Sequence, residues 1–511
     1  MSFAKSSFSR VVLCVLWLAL LPAVQGAEAF RLVLTPLGDS ISLPKRILGM
    51  SAEPLIEHLI DDPRKVNLAR EMDLAYVRFP GGSQSNFYNW RTGLLDFHAN
   101  EFSSSYVKFW ASVAPKIAVA HPSGIHMHEY RKFAESIGAE TILLPNLETS
   151  SMAEQLEWFK QMHADGDVPT HIELGNEFYL GMMNDPDSMK HWPDEPTTEK
   201  VMKAYRDVLA PYCPEGTKFA IQSAASAYWV DSQEADRPFF RRQTSWDENL
   251  HSEPWFDAVT VHLYAEPVTV LGMRRGSRPD LTDDLRMRLF QGIMGRVDAG
   301  TDRVLNDVAA RLPGKEIWIT EWNPRGGNPR NLEWEPLTAA MKMQFAVRQT
   351  LAILRHPEVK ASLYFMLNFS SPVFAEFIPD GREGFSPTGT AIALQWLDEA
   401  ANGGATFRRY VEAASIPRPS GGVIPESYRE IEAGLFQGPD TVTLIIQNAS
   451  AQARLYNPTQ ASRGKNPPDR VEVVSIPQLL DPNSNTPVLQ SDDPNGDIVI
   501  PAFSIVRMIW K

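Results

Sequence analysis

The alternation of short apolar runs with helical patterns is the feature that most limits what this chain can fold into. Apolar, β-rich runs recur at 46–50, 76–79, 141–145, 170–174, 219–222, 258–263, 316–320 and 362–366. They are too short for helices, and turn-forming residues bound several of them, so they read as buried strands. Helical patterns fall between them, at 63–72, 130–137, 199–209, 285–297, 303–311, 337–354 and 390–400. Strand–helix repeats of this kind predict an α/β fold, a (β/α)8 TIM barrel rather than a doubly wound sheet.

Two of the predicted strands stop on an acid. In His171-Ile-Glu-Leu-Gly-Asn-Glu-Phe178 the strand runs to Leu174, Gly175 permits a sharp turn, and Asn176 and Glu177 sit just past the carboxyl end. In Glu316-Ile-Trp-Ile-Thr-Glu-Trp-Asn323 the strand ends on Glu321. The carboxyl-end face of a parallel barrel carries its chemistry. Two carboxylates there, half a barrel apart, match hydrolysis of a glycosidic bond, in which one acid protonates the leaving oxygen and the other attacks the sugar or activates water. On its own, either acid also fits a helix cap or a partner for an arginine.

The ends of the chain lie outside that pattern. Residues 1–10 are polar and carry Lys5 and Arg10, and 11–21 form an apolar run of eleven. Small residues follow at Ala23, Gly26, Ala27 and Ala29. This reads as a secretory signal peptide over 1–26, with cleavage after Gly26 or after Ala29, and as a secreted or periplasmic protein. Cys14 lies in the apolar run without a lipobox-like approach. Cys213 is then the only thiol left, so no internal disulfide is expected and the core must hold the fold. Losing Lys5 and Arg10 takes the formal charge from −13 to −15. No basic tract appears, which disfavours a nucleic-acid partner, and no later apolar run is long enough to hold the mature chain in a membrane.

Residues 27–45 contain two short apolar stretches divided by Pro36-Leu-Gly-Asp39, a predicted turn. They come too early for the barrel and are expected to join the C-terminal sheet. The catalytic barrel is expected over 46–404, closing at Asn402-Gly-Gly404. Beyond it, 405–511 holds β-rich stretches such as 442–447 and 471–475, split by Pro, Asn and Gly, and reads as a β-sandwich domain.

Arg78-Phe-Pro-Gly-Gly82 with Trp90-Arg91, Glu173-Leu-Gly-Asn-Glu177, Thr260-Val-His-Leu-Tyr264 and Thr320-Glu-Trp-Asn323 together resemble clan A of the retaining glycoside hydrolases. The first and last of these are most similar to the α-L-arabinofuranosidases, and the Glu-Leu-Gly-Asn-Glu stretch is similar also to heparanase-type β-glucuronidases. The resemblance runs from about Gly49 to the end, where Ile500-Pro-Ala-Phe-Ser-Ile-Val506 resembles the last strands of their sandwich. It implies Glu177 as acid/base and Glu321 as nucleophile. It also implies Asn176 on the sugar 2-hydroxyl, Arg78 keeping the nucleophile ionised, Tyr264 and His262 near it, and Glu53 as a sugar-binding acid. Asn146, at the end of the third strand, and Trp322, beside Glu321, complete the expected sugar-binding set.

A carbohydrate is the expected partner, with no cofactor and no metal. His126 and His128 do not share a helix face, and no zinc-like spacing exists. Pro54 after Glu53, Ser83 after Gly-Gly and Phe178 after the acid depart from the arabinofuranosidase pattern, and bear on which sugar is taken. Arg274, Arg275 and Arg278 crowd the loop after the sixth strand, with Arg325 and Arg330 after the seventh. They read either as forks for a uronate or sulfate or as local ion pairs of surface loops. An inactive carbohydrate-binding barrel and a transglycosidase are the alternatives to a hydrolase.

Overall fold

A computed structural model describes residues 30–511 apart from 58–59, 61, 98–102, 226–237, 266–272, 274–276, 325–334, 368–376, 380–384, 414–417, 420–426, 461–466, 477, 483 and 485. The predicted signal peptide with Cys14 and the arginines at 274, 275, 325 and 330 lie outside the described residues. No helix among the described residues is long and apolar enough to cross a membrane.

Eight parallel strands close a barrel in sequence order: Leu48–Ala52, Tyr76–Phe79, Glu140–Leu143, His171–Glu173, Lys218–Gln222, Ala258–Ala265, Glu316–Pro324 and Val359–Leu367. The first starts later than the expected 46–50. Arg46 instead points its guanidinium at the Leu74 carbonyl, 2.5 Å away. Side chains alternate across each strand, as a pleated strand requires. Tyr76, Ala220, Ala258, Trp318, Ala361 and Leu363 form one inner layer, where a large indole is accommodated by small alanines. Val77, Phe79, Ile172, Val259, Val261, Ile317 and Ile319 pack in the larger core shared with the surrounding helices.

The expected pair of helices at 285–297 and 303–311 is a single helix, Asp283–Arg311, of 29 residues. A glycine in mid-helix costs about 1 kcal/mol, which tertiary packing readily outweighs. Here Gly300 and Thr301 are buried, and Thr301 exchanges hydrogen bonds with Gln349 on the neighbouring helix Ala339–Ile353. Between the fourth strand and the helix Glu195–Leu209 the chain makes short helical turns, at Phe178–Leu180, Gly181–Asn184 and Pro186–His191.

The C-terminal domain packs a seven-stranded antiparallel sheet against a three-stranded one. Both take a strand from the chain's beginning. Phe30–Leu32 pairs with Arg454–Tyr456, and Leu34–Ser42 pairs with Thr406–Glu412. The Pro36–Asp39 segment is not a turn but a bulged part of that second strand. It lies at the sheet's edge, where a proline's missing N–H removes no necessary bond. In the central strand Val442–Asn448, Leu444 and Ile446 face the sandwich core while Ile445 faces the barrel's helices. One sheet thus serves two cores.

Candidate active site

The inner layer above Trp318 is polar. Arg78, Glu173, Thr260, His262 and Thr320 occupy inward positions on their strands, and all are buried. Glu321 reaches the same space only because of an irregularity. Between Val261 and His262 on the sixth strand, the seventh advances two residues, from Ile319 to Glu321. Its other neighbour shows the same extra residue between Ile319 and Trp322. A bulge of this kind re-aims side chains. Thr320 and Glu321 therefore both face the interior, and Trp322 is sent outward.

Arg78 anchors the cluster. Its Nε and Nη2 donate to Glu173 Oε2 at 2.9 Å and Oε1 at 2.8 Å, a bidentate pair. Nη1 donates to Glu321 Oε1 at 2.5 Å, and Nη2 also to Asn176 Oδ1 at 2.8 Å. Burial works against the guanidinium's charge, but Glu173 and Glu321 outweigh it and its pKa is raised. The arginine is thus a fixed cation between Glu173 and Glu321. Tyr264 donates its hydroxyl proton to the other oxygen, Glu321 Oε2.

Glu177 sits in the left-handed region, φ 52° and ψ 37°, costly for a residue with a side chain. The turn that forces it begins at Gly175, at φ 82°, where a Cβ would lie 2.3 Å from the Phe178 ring. Gln222 on the fifth strand fastens the turn: its Oε1 accepts from Phe178 N at 2.7 Å, and its Nε2 donates to the Leu174 carbonyl at 3.1 Å. Glu177 Oε1 accepts from the Tyr179 hydroxyl at 3.2 Å and meets His262 Nδ1 at 2.8 Å.

The tautomer of His262 follows from its other side. Both oxygens of Glu173 already accept from Arg78, so the Thr320 hydroxyl donates to Glu173 Oε1, at 3.2 Å. Its oxygen then accepts from His262 Nε2–H, at 3.1 Å. Burial lowers the His262 pKa, but Glu321 and Glu177 more than reverse this, and the net shift is upward. His262 Nδ1 is also 3.7 Å from Glu321 Oε2, so the ring lies between the two acids. Glu177, His262 and Glu321 each bring an atom within 4.8 Å of the others, a spacing that a metal ion also accepts. Arg78 already pairs with Glu321, and a ring whose pKa the two acids raise is a poor metal ligand. The surroundings favour proton chemistry.

Glu53, only 3 % exposed, comes to the same face. Its Oε1 accepts from Gly82 N at 3.0 Å, fixing the Gly81-Gly82 turn. That turn passes so close to Glu321 that a Cβ on Gly82 would lie 2.5 Å from Oε1. Asn146 and Trp322 do not join the cluster. The Asn146 amide donates to Tyr88 O and Thr149 Oγ1 and accepts from the amides of Glu148 and Thr149, so it organises its own loop. Trp322 packs edge-on to Tyr364 in the outer core, and its indole donates to Ser362 Oγ at 3.0 Å. Arg278 is exposed. Glu173, Thr320, Tyr179 and Gln222 make contacts in this cluster that were not among the expected site residues. The signal for Glu173 was present, as a charged residue two positions from His171 in a strand otherwise apolar.

No protein-family model matches the chain, and no curated protein sequence does. Solved structures do resemble it in fold. A family-51 arabinofuranosidase from Xanthomonas axonopodis pv. citri superposes with a TM-score of 0.63 at 14 % identity, over 93 % of this chain and 98 % of that one. A family-51 α-L-arabinofuranosidase from Bifidobacterium longum gives 0.62 at 15 % identity, over 94 % and 98 %. A 4-O-α-L-rhamnosyl-β-D-glucuronidase from Fusarium oxysporum gives 0.55 at 11 % identity, over 94 % and 99 %. The barrel with its sandwich is therefore an architecture these proteins share almost end to end.

Proposed function

We propose that this chain is a retaining glycoside hydrolase of clan A, exported and acting on carbohydrate, with Glu177 as acid/base and Glu321 as nucleophile. The observation that carries the proposal is the spacing of the two acids. One oxygen of each lies within 4.8 Å of the other. Double displacement uses carboxyl groups about 5 Å apart, whereas inversion needs roughly 6.5–9.5 Å to admit a water between them. The unlike surroundings support the division of roles. Glu321 accepts from a cation and a phenol, contacts that suit an attacking carboxylate; Glu177 faces an imidazole that can pass a proton. Asn176, fixed by Arg78, is placed to meet the sugar 2-hydroxyl, a contact that strengthens in the transition state.

The fold likeness extends to arabinofuranosidases and to a 4-O-α-L-rhamnosyl-β-D-glucuronidase, and both sugars enter the test. Hydrolysis of a panel of nitrophenyl glycosides, α-L-arabinofuranoside and β-D-glucuronide first, should reveal at least one that is turned over. Proton NMR of the first product should show the substrate's anomeric configuration. An inverted first product would remove the double-displacement reading, and no hydrolysis of any glycoside would favour an inactive binding barrel.

Gly82→Ala should lower kcat about 100-fold with the fold intact by circular dichroism. The added methyl must push Glu321 off Arg78, and displacements near 1 Å at the reacting atom cost about that much. Unchanged kcat would mean that the Gly82 approach does not constrain the nucleophile.

A further inference from the structure

Glu148 lies in the loop after the third barrel strand, 4 % exposed, and touches neither Glu177 nor Glu321 in any described contact. Its Oε2 accepts from the indole N–H of Trp192 at 2.5 Å. Trp192 lies flat on Phe178, ring centroids 4.0 Å apart and planes 6° from parallel. Phe178 directly follows Glu177 and is wholly buried, under the turn that holds Glu177 in its left-handed conformation. Arg242 closes the same unit by donating to the backbone carbonyls of Phe178, Tyr179, Trp192 and Pro193.

We propose that Glu148 is a positioning residue for Glu177, acting through the Trp192 indole and the Phe178 ring to fix the turn that presents the acid/base carboxylate. The argument is mechanical. A left-handed glutamate relaxes unless its neighbours over-determine it. Gly175 and Gln222 restrain the turn from the barrel side, whereas the other face of the Phe178 ring has Trp192 against it. Flat stacking by itself allows sliding; the hydrogen bond to Glu148 sets where the indole stops. A carboxylate buried this deeply is costly to keep for packing alone. Burial pushes Glu148 up to about 7, Asp185 adds to that, and Ser188, Trp192 and Arg242 oppose it.

The role rests on the glycosidase reading, and the test separates the two. Aryl α-L-arabinofuranosides, or β-D-glucuronides if the panel selects those, are compared as 4-methoxyphenyl and 2,4-dinitrophenyl leaving groups. Only the poorer leaving group needs the proton of Glu177. Glu148→Ala and Trp192→Phe should each lose about 10-fold or more in kcat/KM on the methoxyphenyl substrate and less than about 2-fold on the dinitrophenyl one. Glu148→Gln, which keeps an acceptor for the indole, should restore the methoxyphenyl rate to within about 2-fold of wild type. Equal losses on both substrates would reduce Glu148 to packing and overturn the proposal. Crystal structures of Glu148→Gln and Trp192→Phe give a reading independent of activity. The expected result is that the 2.8 Å contact between Glu177 and His262 survives in the first and is lost in the second. Its survival in Trp192→Phe would overturn the positioning role. A wild type inactive on every glycoside would defeat the glycosidase reading and leave these structures to decide the role.

Discussion

Glu321→Ala is expected to abolish turnover of every substrate, by at least about 10,000-fold, whereas Glu177→Ala should spare substrates whose leaving group departs without a proton. Every glycoside needs the attacking carboxylate, but a dinitrophenolate leaves unaided. The structure adds a second consequence. Removing the Glu321 carboxylate leaves the Arg78 guanidinium, 0 % exposed, with Glu173 as its remaining charged partner among the described residues. The pair that is left is charge-balanced, and Glu321→Ala should fold. A well-folded variant with no activity is the outcome that supports the assignment. Near-wild-type rates in that variant would refute it.

Residues 46–404 expressed alone are expected to be insoluble. Barrel and sandwich are joined by buried charge as well as apolar surface. Arg348, on the helix Ala339–Ile353, is 0 % exposed and lies 3.0 Å from Asp298 and 3.1 Å from Glu432. Arg409, on the first strand after the barrel, pairs with the same two acids. This network of two cations and two anions is complete only when both domains are present. Truncation removes Glu432 and Arg409, and it uncovers the helix surface against which Phe407, Phe436, Ile445 and Ile505 pack. A softer version of the test is Arg348→Met, which should cost about 3–5 kcal/mol by leaving buried acids uncompensated. Chemical denaturation of that variant, and soluble yield of the truncated barrel, are the measurements. A soluble, active 46–404 would show that the shared core is dispensable.

The barrel was legible because its strands carry their own signature. A run such as 76–79 or 219–222 is apolar, short and flanked by breakers, and no tertiary information is needed to exclude a helix there. The acids Glu177 and Glu321 were legible for a related reason: a charged residue at the end of such a run has only the barrel's carboxyl face to occupy. The meeting of the first strands with the last sheet followed by elimination, since 27–45 had no helix with which to begin a barrel repeat.

Other features were decided by neighbours. Within one strand, alternation alone would send Thr320 and Trp322 inward and Glu321 outward. The extra residue in the seventh strand reverses the last two, and it exists only relative to the register of the sixth and eighth. The bulge puts Glu321 against Arg78 and sends Trp322 into the outer core. In the same way, Asn146 was expected at the sugar from its place at a strand end, but its amide closes its own loop and ties it to the remote Tyr88 carbonyl. The helical pattern pauses at 298–302, but the helix runs on because Thr301 bonds Gln349 and Asp298 pairs with Arg348, which outweighs the local cost of Gly300. Burial and periodicity are written along a chain, so the sequence by itself determined the barrel and the two acids. Register, and the choice of partner for a buried charge, belong to pairs of elements, and only the tertiary structure decided them.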